Sequence, residues 1–209
     1  MKPDAEINDT GHSDNEYRER CKSTDDAIQL YTNACKNLLA INQWKYICNK
    51  LLSADFILCN DQGQPVNRFP RENDLIKIDI PGPGSKTGDG YDWVTIEEIG
   101  NNADIANDVE YTYIRVRPAS SPLNSDEETA HFFSDAASST FMVKRSVNIV
   151  IGEIHGRNEK PNNATGNTAD NIRNSMVAGL AIAKFSDRQW KVLCKAFITF
   201  RKLPGKKHG

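Results

Sequence analysis

Nowhere does this sequence run apolar for the roughly 20 residues that a bilayer-spanning helix needs, so an integral helical membrane protein is not expected. Charge of one sign is equally scarce as a surplus: 26 Lys and Arg stand against 28 Asp and Glu, a net charge of −2. Whole-molecule attraction to a nucleic acid or a membrane surface therefore has no source, and neither is expected as a partner. The five cysteines, Cys21, Cys35, Cys48, Cys59 and Cys194, are odd in number, irregularly spaced and without a Cys-x-x-Cys pair. They form neither a disulfide framework nor a zinc knuckle and read as buried free thiols. Histidine is rarer still at four residues, two of which, His12 and His208, sit in the tails. No His-x-His or His-x-x-x-His spacing occurs, and no metal or cofactor is expected. The Gly-x-Ser-x-Gly elbow of many serine hydrolases is missing too. Residues Met1 to Tyr17 are acidic and polar with no apolar centre, unlike a secretory or transit signal, and a cytoplasmic location is expected.

What remains is a polar chain of 209 residues with 38% hydrophobic residues and a mean hydropathy of −0.59. That length suits a single domain able to bury its own core without a staple. Residues 1–22 read as a disordered acidic arm, 23–203 as one α+β domain and 204–209 as a basic tail. Ser23-x-x-Asp26 is a capping box, and Ile28, Tyr31, Cys35, Leu38 and Ile41 follow at helical spacing. A second helical piece over Gln43 to Leu52 carries Trp44, Ile47, Cys48 and Leu51.

From Asp55 the apolar period falls to two. Asp55 to Cys59 and Gln64 to Val66 flank Asn60-Asp61-Gln62-Gly63 as a hairpin would. Leu75 to Ile80, Asp92 to Ile99 and Val109 to Arg117 read as further strands, and Phe141 to Arg145 with Ile149 to His155 as a second hairpin. Helical spacing returns over Thr168 to Lys184 and again after Ser186-x-x-Gln189, where Trp190, Leu193, Cys194, Phe197 and Ile198 share a face. The expected fold is a curved antiparallel sheet of about six strands, one face covered by N-terminal and C-terminal helices.

Over residues 25–200 this order resembles the helix-grip folds of lipid-transfer and polyketide-cyclase-like proteins. In those a long C-terminal helix lies across a bent antiparallel sheet and encloses a ligand cavity. Helix-grip chains usually open on a strand, whereas the pattern here opens on helices. The resemblance implies a cavity that Trp93, Phe141, Met142, Met176, Leu180 and Phe197 would line.

Four segments bear on function. The loop Asp79 to Gly90 has glycines around Ser85, Lys86 and Thr87, but Ser85 replaces the glycine a P-loop requires before its lysine, and Pro81 and Pro83 remove backbone donors. It reads as a connection between strands. Pro118 to Ser139 is long and aperiodic, with His131 followed by Phe132 and Phe133 as anchors or contact residues. Glu153, His155 and Arg157 project to one side of a strand, where the carboxylate could orient the imidazole as a general base; His131 could complete a metal trio with them. Tyr111, Tyr113, Arg115 and Arg117 alternate along one strand face, with Thr112, Ile114 and Val116 opposite.

The leading expectation is a non-catalytic binding or protein-interaction domain, its partner a second protein or another copy, using the Tyr111, Tyr113, Arg115, Arg117 face and Phe132 and Phe133. A small apolar ligand in a helix-grip-like cavity is the first alternative. A hydrolase or isomerase using His155 with Glu153 or His131 is the second.

Overall fold

The computed structural model describes residues 13–49, 51, 54–79, 91–123, 137–157 and 188–201. Its centre is one curved antiparallel sheet of seven strands in the order β1-β7-β6-β5-β4-β3-β2. The strands are β1 (Ser13–Arg20), β2 (Asp55–Cys59), β3 (Leu75–Asp79), β4 (Asp92–Asp104), β5 (Val109–Ala119), β6 (Ser138–Ser146) and β7 (Ile149–Arg157). Between β1 and β2 come α1 (Thr24–Leu39), a tight 3-10 turn at Ile41–Gln43 and the short α2 (Trp44–Ile47). The last described helix, α3, is Trp190–Thr199.

The sheet has seven strands rather than about six, and the extra one corrects the expected disordered arm. Ser13–Arg20 pairs along its whole length with β7, Ser13 opposite Gly156 and Arg20 opposite Ile149. Charge alone argued for disorder here, yet a ready strand edge on β7 satisfies the backbone of a segment with little apolar surface of its own. Among the described residues the first element is therefore a strand and not a helix.

α1 begins where the capping box places it: the Ser23 side chain accepts from the Asp26 backbone N–H at 3.1 Å, and Asp25 and Asp26 occupy the positive end of the helix. Its inward face is Ala27, Leu30, Tyr31, Ala34 and Leu38, while Ile28 stays exposed. The expected hairpin around Asn60 to Gly63 is a short one: the Asn60 N–H donates to the Gln64 carbonyl and the Val66 N–H to the Leu58 carbonyl, each at 2.9 Å, on either side of a bridge from Cys59 to Pro65. The ladder of β2 is with β3, Phe56 opposite Ile78. The hairpin of β6 and β7 turns at Val147-Asn148, as the spacing predicts.

Both terminal helices lie on the concave face. Trp44 is fully buried at the centre of that layer, with ring centroids 4.8 Å from Phe141, 5.2 Å from Phe56 and 5.6 Å from Phe197. Removing a ring from such a cluster costs about 3–5 kcal/mol. α3 reaches the sheet at Gly152, where a Cβ would stand 2.5 Å from the Cys194 carbonyl oxygen. Only a residue without a side chain lets helix and strand backbones meet so closely. Asn33 and Asn37 of α1 donate to the Phe200 carbonyl at 2.7 and 3.1 Å, and Asn37 also to that of Phe197 at 2.9 Å, fixing the far end of α3. No helix among the described residues is long and apolar enough to cross a membrane.

Candidate functional site

Strand register sorts the candidates into two faces. One inward row runs Ile99, Ile114, Phe141, Ile154, Asn15 across β4, β5, β6, β7 and β1. The neighbouring inward row runs Thr112, Val143, Gly152, Tyr17. Thr112 accepts or donates at 2.9 Å to the Tyr31 hydroxyl of α1, a buried polar contact that ties helix to sheet. Burial holds the Tyr31 hydroxyl well above its ordinary range.

Apolar side chains on this concave face are not equally covered. Phe56, Ile96, Ile114, Phe141 and Phe197 are buried, whereas Ile78, Val94 and Trp190 are half-buried. Trp190, on the first turn of α3, stands 5.9 Å from Phe141 and 6.4 Å from Phe56 between ring centroids. Ile78, Val94 and Trp190 thus pack as a partly exposed apolar border against the closed aromatic core. Asn15, 2% exposed, ends the inward row with neither its side-chain oxygen nor its nitrogen hydrogen-bonded.

Two residues of the expected cavity lining face the other way. Trp93 pairs with Lys77 and Ala119 on the outer face, where it packs with Cys59 and Leu75 under the turn at Gly63. Met142 pairs with Tyr113 and Glu153, also outward. Sequence alternation could not decide the Trp93 face, because Trp93 and Val94 are both apolar. Met176 and Leu180 lie outside the described residues.

On the outer face Tyr111, Tyr113, Arg115 and Arg117 do share one side of β5, with Thr112, Ile114 and Val116 buried opposite. A bulge in β4 at Ile96 to Glu98 turns two consecutive carboxylates to the same side. Arg115 takes both, Nε to Glu97 at 3.2 Å and Nη2 to Glu98 at 2.6 Å, and Arg117 also pairs with Glu97. The Tyr113 hydroxyl donates to Glu98 at 2.5 Å. Both guanidinium groups thus already hold carboxylates of the neighbouring strand, as cross-strand ion pairs do.

Glu153, His155 and Arg157 likewise share the outer side of β7. His155 Nε2 lies 3.0 Å from Glu153 and Nδ1 lies 2.7 Å from Asp14, whose carboxylate also accepts from Arg157 at 2.7 Å. The Glu153 hydrogen bond, aided by Asp14, raises the His155 pKa against the opposing effect of burial. Desolvation works to raise the Asp14 pKa, but the His155 and Arg157 hydrogen bonds bring it below the ordinary value. Each ring nitrogen of His155 thus lies against a carboxylate, and the ring joins β1 to β7 as an ion-pair partner. Asp14 is the partner that sequence reading missed, because β1 was not read as a strand. His131, Phe132, Phe133 and the Thr168 to Lys184 segment fall outside the described residues. Among those described, no group of three His, Cys, Asp or Glu side chains is placed to hold a metal.

The thiols follow their burial. Cys48, Cys59 and Cys194 are buried, Cys21 and Cys35 partly so, and all five are free. Desolvation pushes Cys48 and Cys194 up to about 12, far from the thiolate a nucleophile needs.

No protein-family model matches this chain, and no curated protein does. Among solved structures, a hypothetical protein from Helicobacter pylori superposes with a TM-score of 0.43 at 8% identity, covering 97% of this chain and 95% of its own. Truncated norcoclaurine synthase from Thalictrum flavum gives 0.35 at 9% identity, over 92% of this chain and 97% of the other. Major latex-like protein 151 from Panax ginseng gives 0.31 at 11% identity, over 84% and 98%. The fold described above, a curved antiparallel sheet with helices across its concave face, rests on the strand order and packing, independently of these likenesses.

Proposed function

We propose that this protein binds a small apolar or aromatic molecule at the apolar border where α3 begins, between Trp190 and the concave residues Phe56, Ile78, Val94 and Phe141. The carrying observation is the gradient of cover along one apolar face. Ligand seats are mostly apolar, concave and partly preformed, and Ile78, Val94 and Trp190 remain half-buried beside a closed aromatic core. Titration with naphthalene, followed by tryptophan fluorescence and calorimetry, is expected to give saturable one-to-one binding. Ile78→Glu should weaken it at least tenfold with the circular dichroism unchanged. Absence of saturable binding to the unmodified protein overturns the reading.

One observation favours a second role. Tyr111, Tyr113, Met142 and Ile151 form a contiguous half-buried band on the outer face, and tyrosine, methionine and arginine are enriched in protein interfaces. The charges around it are mixed in sign: Arg115, Arg117 and Lys144 among Glu97, Glu98 and Glu153. Such a surface is complementary to itself, so a second copy is the partner it suits. Light scattering should then show a dimer that Met142→Lys dissociates; a monomer at all concentrations removes this role.

A further inference from the structure

We infer that the open edge of β1 pairs antiparallel with the β1 edge of a second copy, joining two sheets into one across a two-fold axis at Tyr17. This surface is separate from the outer-face band described above and does not depend on it. β1 is the terminal strand of the sheet, and successive residues of a strand aim their peptide groups in opposite directions. The Cys21 N–H, just past the strand, donates to the Asn148 carbonyl at 2.8 Å, so the odd-numbered residues of β1 face β7. The peptide groups of Asp14, Glu16, Arg18 and Arg20 therefore point away from it, and among the described residues no strand pairs with them. The side chains of Asp14, Glu16 and Arg18 are 59%, 52% and 60% exposed, which leaves that flank open to solvent.

An exposed strand edge is a template for a further strand. Charges ordinarily guard such an edge, but the order of charges here is self-complementary. Two acids come first, Asp14 and Glu16, and two arginines follow, Arg18 and Arg20. Identical strands that pair antiparallel do so about a two-fold axis, and outward peptide groups must meet outward ones. An axis at Tyr17 sets Glu16 against Arg18 of the second copy and Asp14 against Arg20, and the reverse. Opposite charges facing across strands attract, and like charges repel. An axis at Glu16 would set that carboxylate against its own copy, and an axis at Arg18 would set guanidinium against guanidinium. Only the register centred on Tyr17 satisfies every charge. Glu16 and Arg18 already pair along the strand, as Asp14 does with His155 and Arg157, and the second copy extends these pairs into a row across the seam. On the concave side Lys195 lies 5.7 Å over the Tyr17 ring and Glu19 follows on β1, so both signs meet there as well.

Light scattering on the full chain over a range of concentrations tests the pairing. A dimer is expected that weakens from low to high salt, as charge screening requires. Glu16→Arg and Arg18→Glu should each weaken it at least tenfold with the circular dichroism unchanged. Mixing these two variants should restore a dimer, since each offers the sign the other lacks, and a chain carrying both exchanges should dimerise as the unmodified protein does. In the dimer the Glu16 and Arg18 amides, which face away from β7, should be protected from hydrogen exchange. Met142→Lys should leave this dimer intact. A monomer at all concentrations, a dimer that survives both single reversals, variants that stay monomeric when mixed, or fast exchange at Glu16 and Arg18 in the dimer would each overturn the inference. A dimer lost in Met142→Lys and kept in Glu16→Arg would assign self-association to the outer-face band and overturn the β1 pairing alone.

Discussion

The ring of Tyr113 lies across the backbone of Gly100, its register partner on β4, so closely that a Cβ at position 100 would stand 2.2 Å from ring carbon Cε1. The bare backbone gives the ring a bed, and the ring shields a strand residue with no side chain of its own. From there the Tyr113 hydroxyl reaches Glu98, and its ring leans toward Tyr111 with centroids 6.2 Å apart.

Gly100→Ala should destabilise the fold by about 1–3 kcal/mol, as overpacking does. The obstacle is a single side chain, so Tyr113→Ala should relieve the clash. In a double-mutant cycle read by urea unfolding, the two changes are expected to be non-additive by at least about 1 kcal/mol. Simple additivity would mean that the ring does not rest on that glycine.

Gly152 faces a different obstacle. The atom in the way is the Cys194 carbonyl oxygen, part of the α3 backbone, and cannot swing aside. Gly152→Ala should therefore cost more than Gly100→Ala, about 3 kcal/mol or above. It should also loosen the near-ultraviolet signal of the aromatic cluster. Equal losses in the two variants would contradict the close docking of helix on strand.

Arg145 is buried at one end of the concave face and clamps two turns. Its Nε meets Glu110 at 2.5 Å, its Nη2 meets Asp108 at 2.7 Å, and its Nη1 donates to the Val147 carbonyl at 2.8 Å. The two carboxylates hold the guanidinium more firmly protonated than usual. Arg145→Ala strands Glu110 and unpins both turns, and a loss of about 3 kcal/mol in chemical denaturation is expected. Arg145→Lys should recover only part, because an ammonium cannot span three acceptors in a plane. Full recovery by lysine would show that charge alone matters there.

The hold of β1 on β7 should depend on pH at both ends of a window. His155 has a raised pKa in the folded state, so its contribution is complete below about 6.5 and fades as pH climbs through the folded value. Asp14 has a lowered pKa, so its contribution is present above about 3.9 and is lost as pH falls through the folded value. Facing this pair are Glu153 and Arg157 on β7, with Glu16 and Arg18 following on β1. Hydrogen-exchange protection of the β1 amides should fall as pH rises past the His155 transition, and His155→Gln should flatten that fall. An unchanged profile in the variant would exclude His155 as its source.

Much of the sheet was readable because its inner strands have one wet and one dry face. β5 alternates Tyr111, Tyr113 and Arg115 against Thr112, Ile114 and Val116, and its faces came out as read. α3 was equally plain from Leu193, Cys194, Phe197 and Ile198. β1 was hidden because its inward residues include Asn15 and Glu19, so no apolar alternation marks it; it is a strand through pairing with β7. The Asn60 to Gly63 turn does close a short hairpin, but the longer ladder of β2 is with β3, past a loop closed by Arg68 on Asp74 at 2.6 Å, and no local pattern marks that pairing. The burial of Asn15 could not be found in sequence, since only three-dimensional packing separates an orphaned asparagine from a solvated one.

The placement of β1 sets an order of events during synthesis. Asp14 and His155 stand 141 positions apart in the chain, and at about 5–20 residues per second the ribosome takes roughly seven to thirty seconds to supply that interval. Throughout that delay the first strand has no mate. Its string of charges then serves a second purpose, keeping an early, unpaired segment soluble until β7 arrives to zip it home.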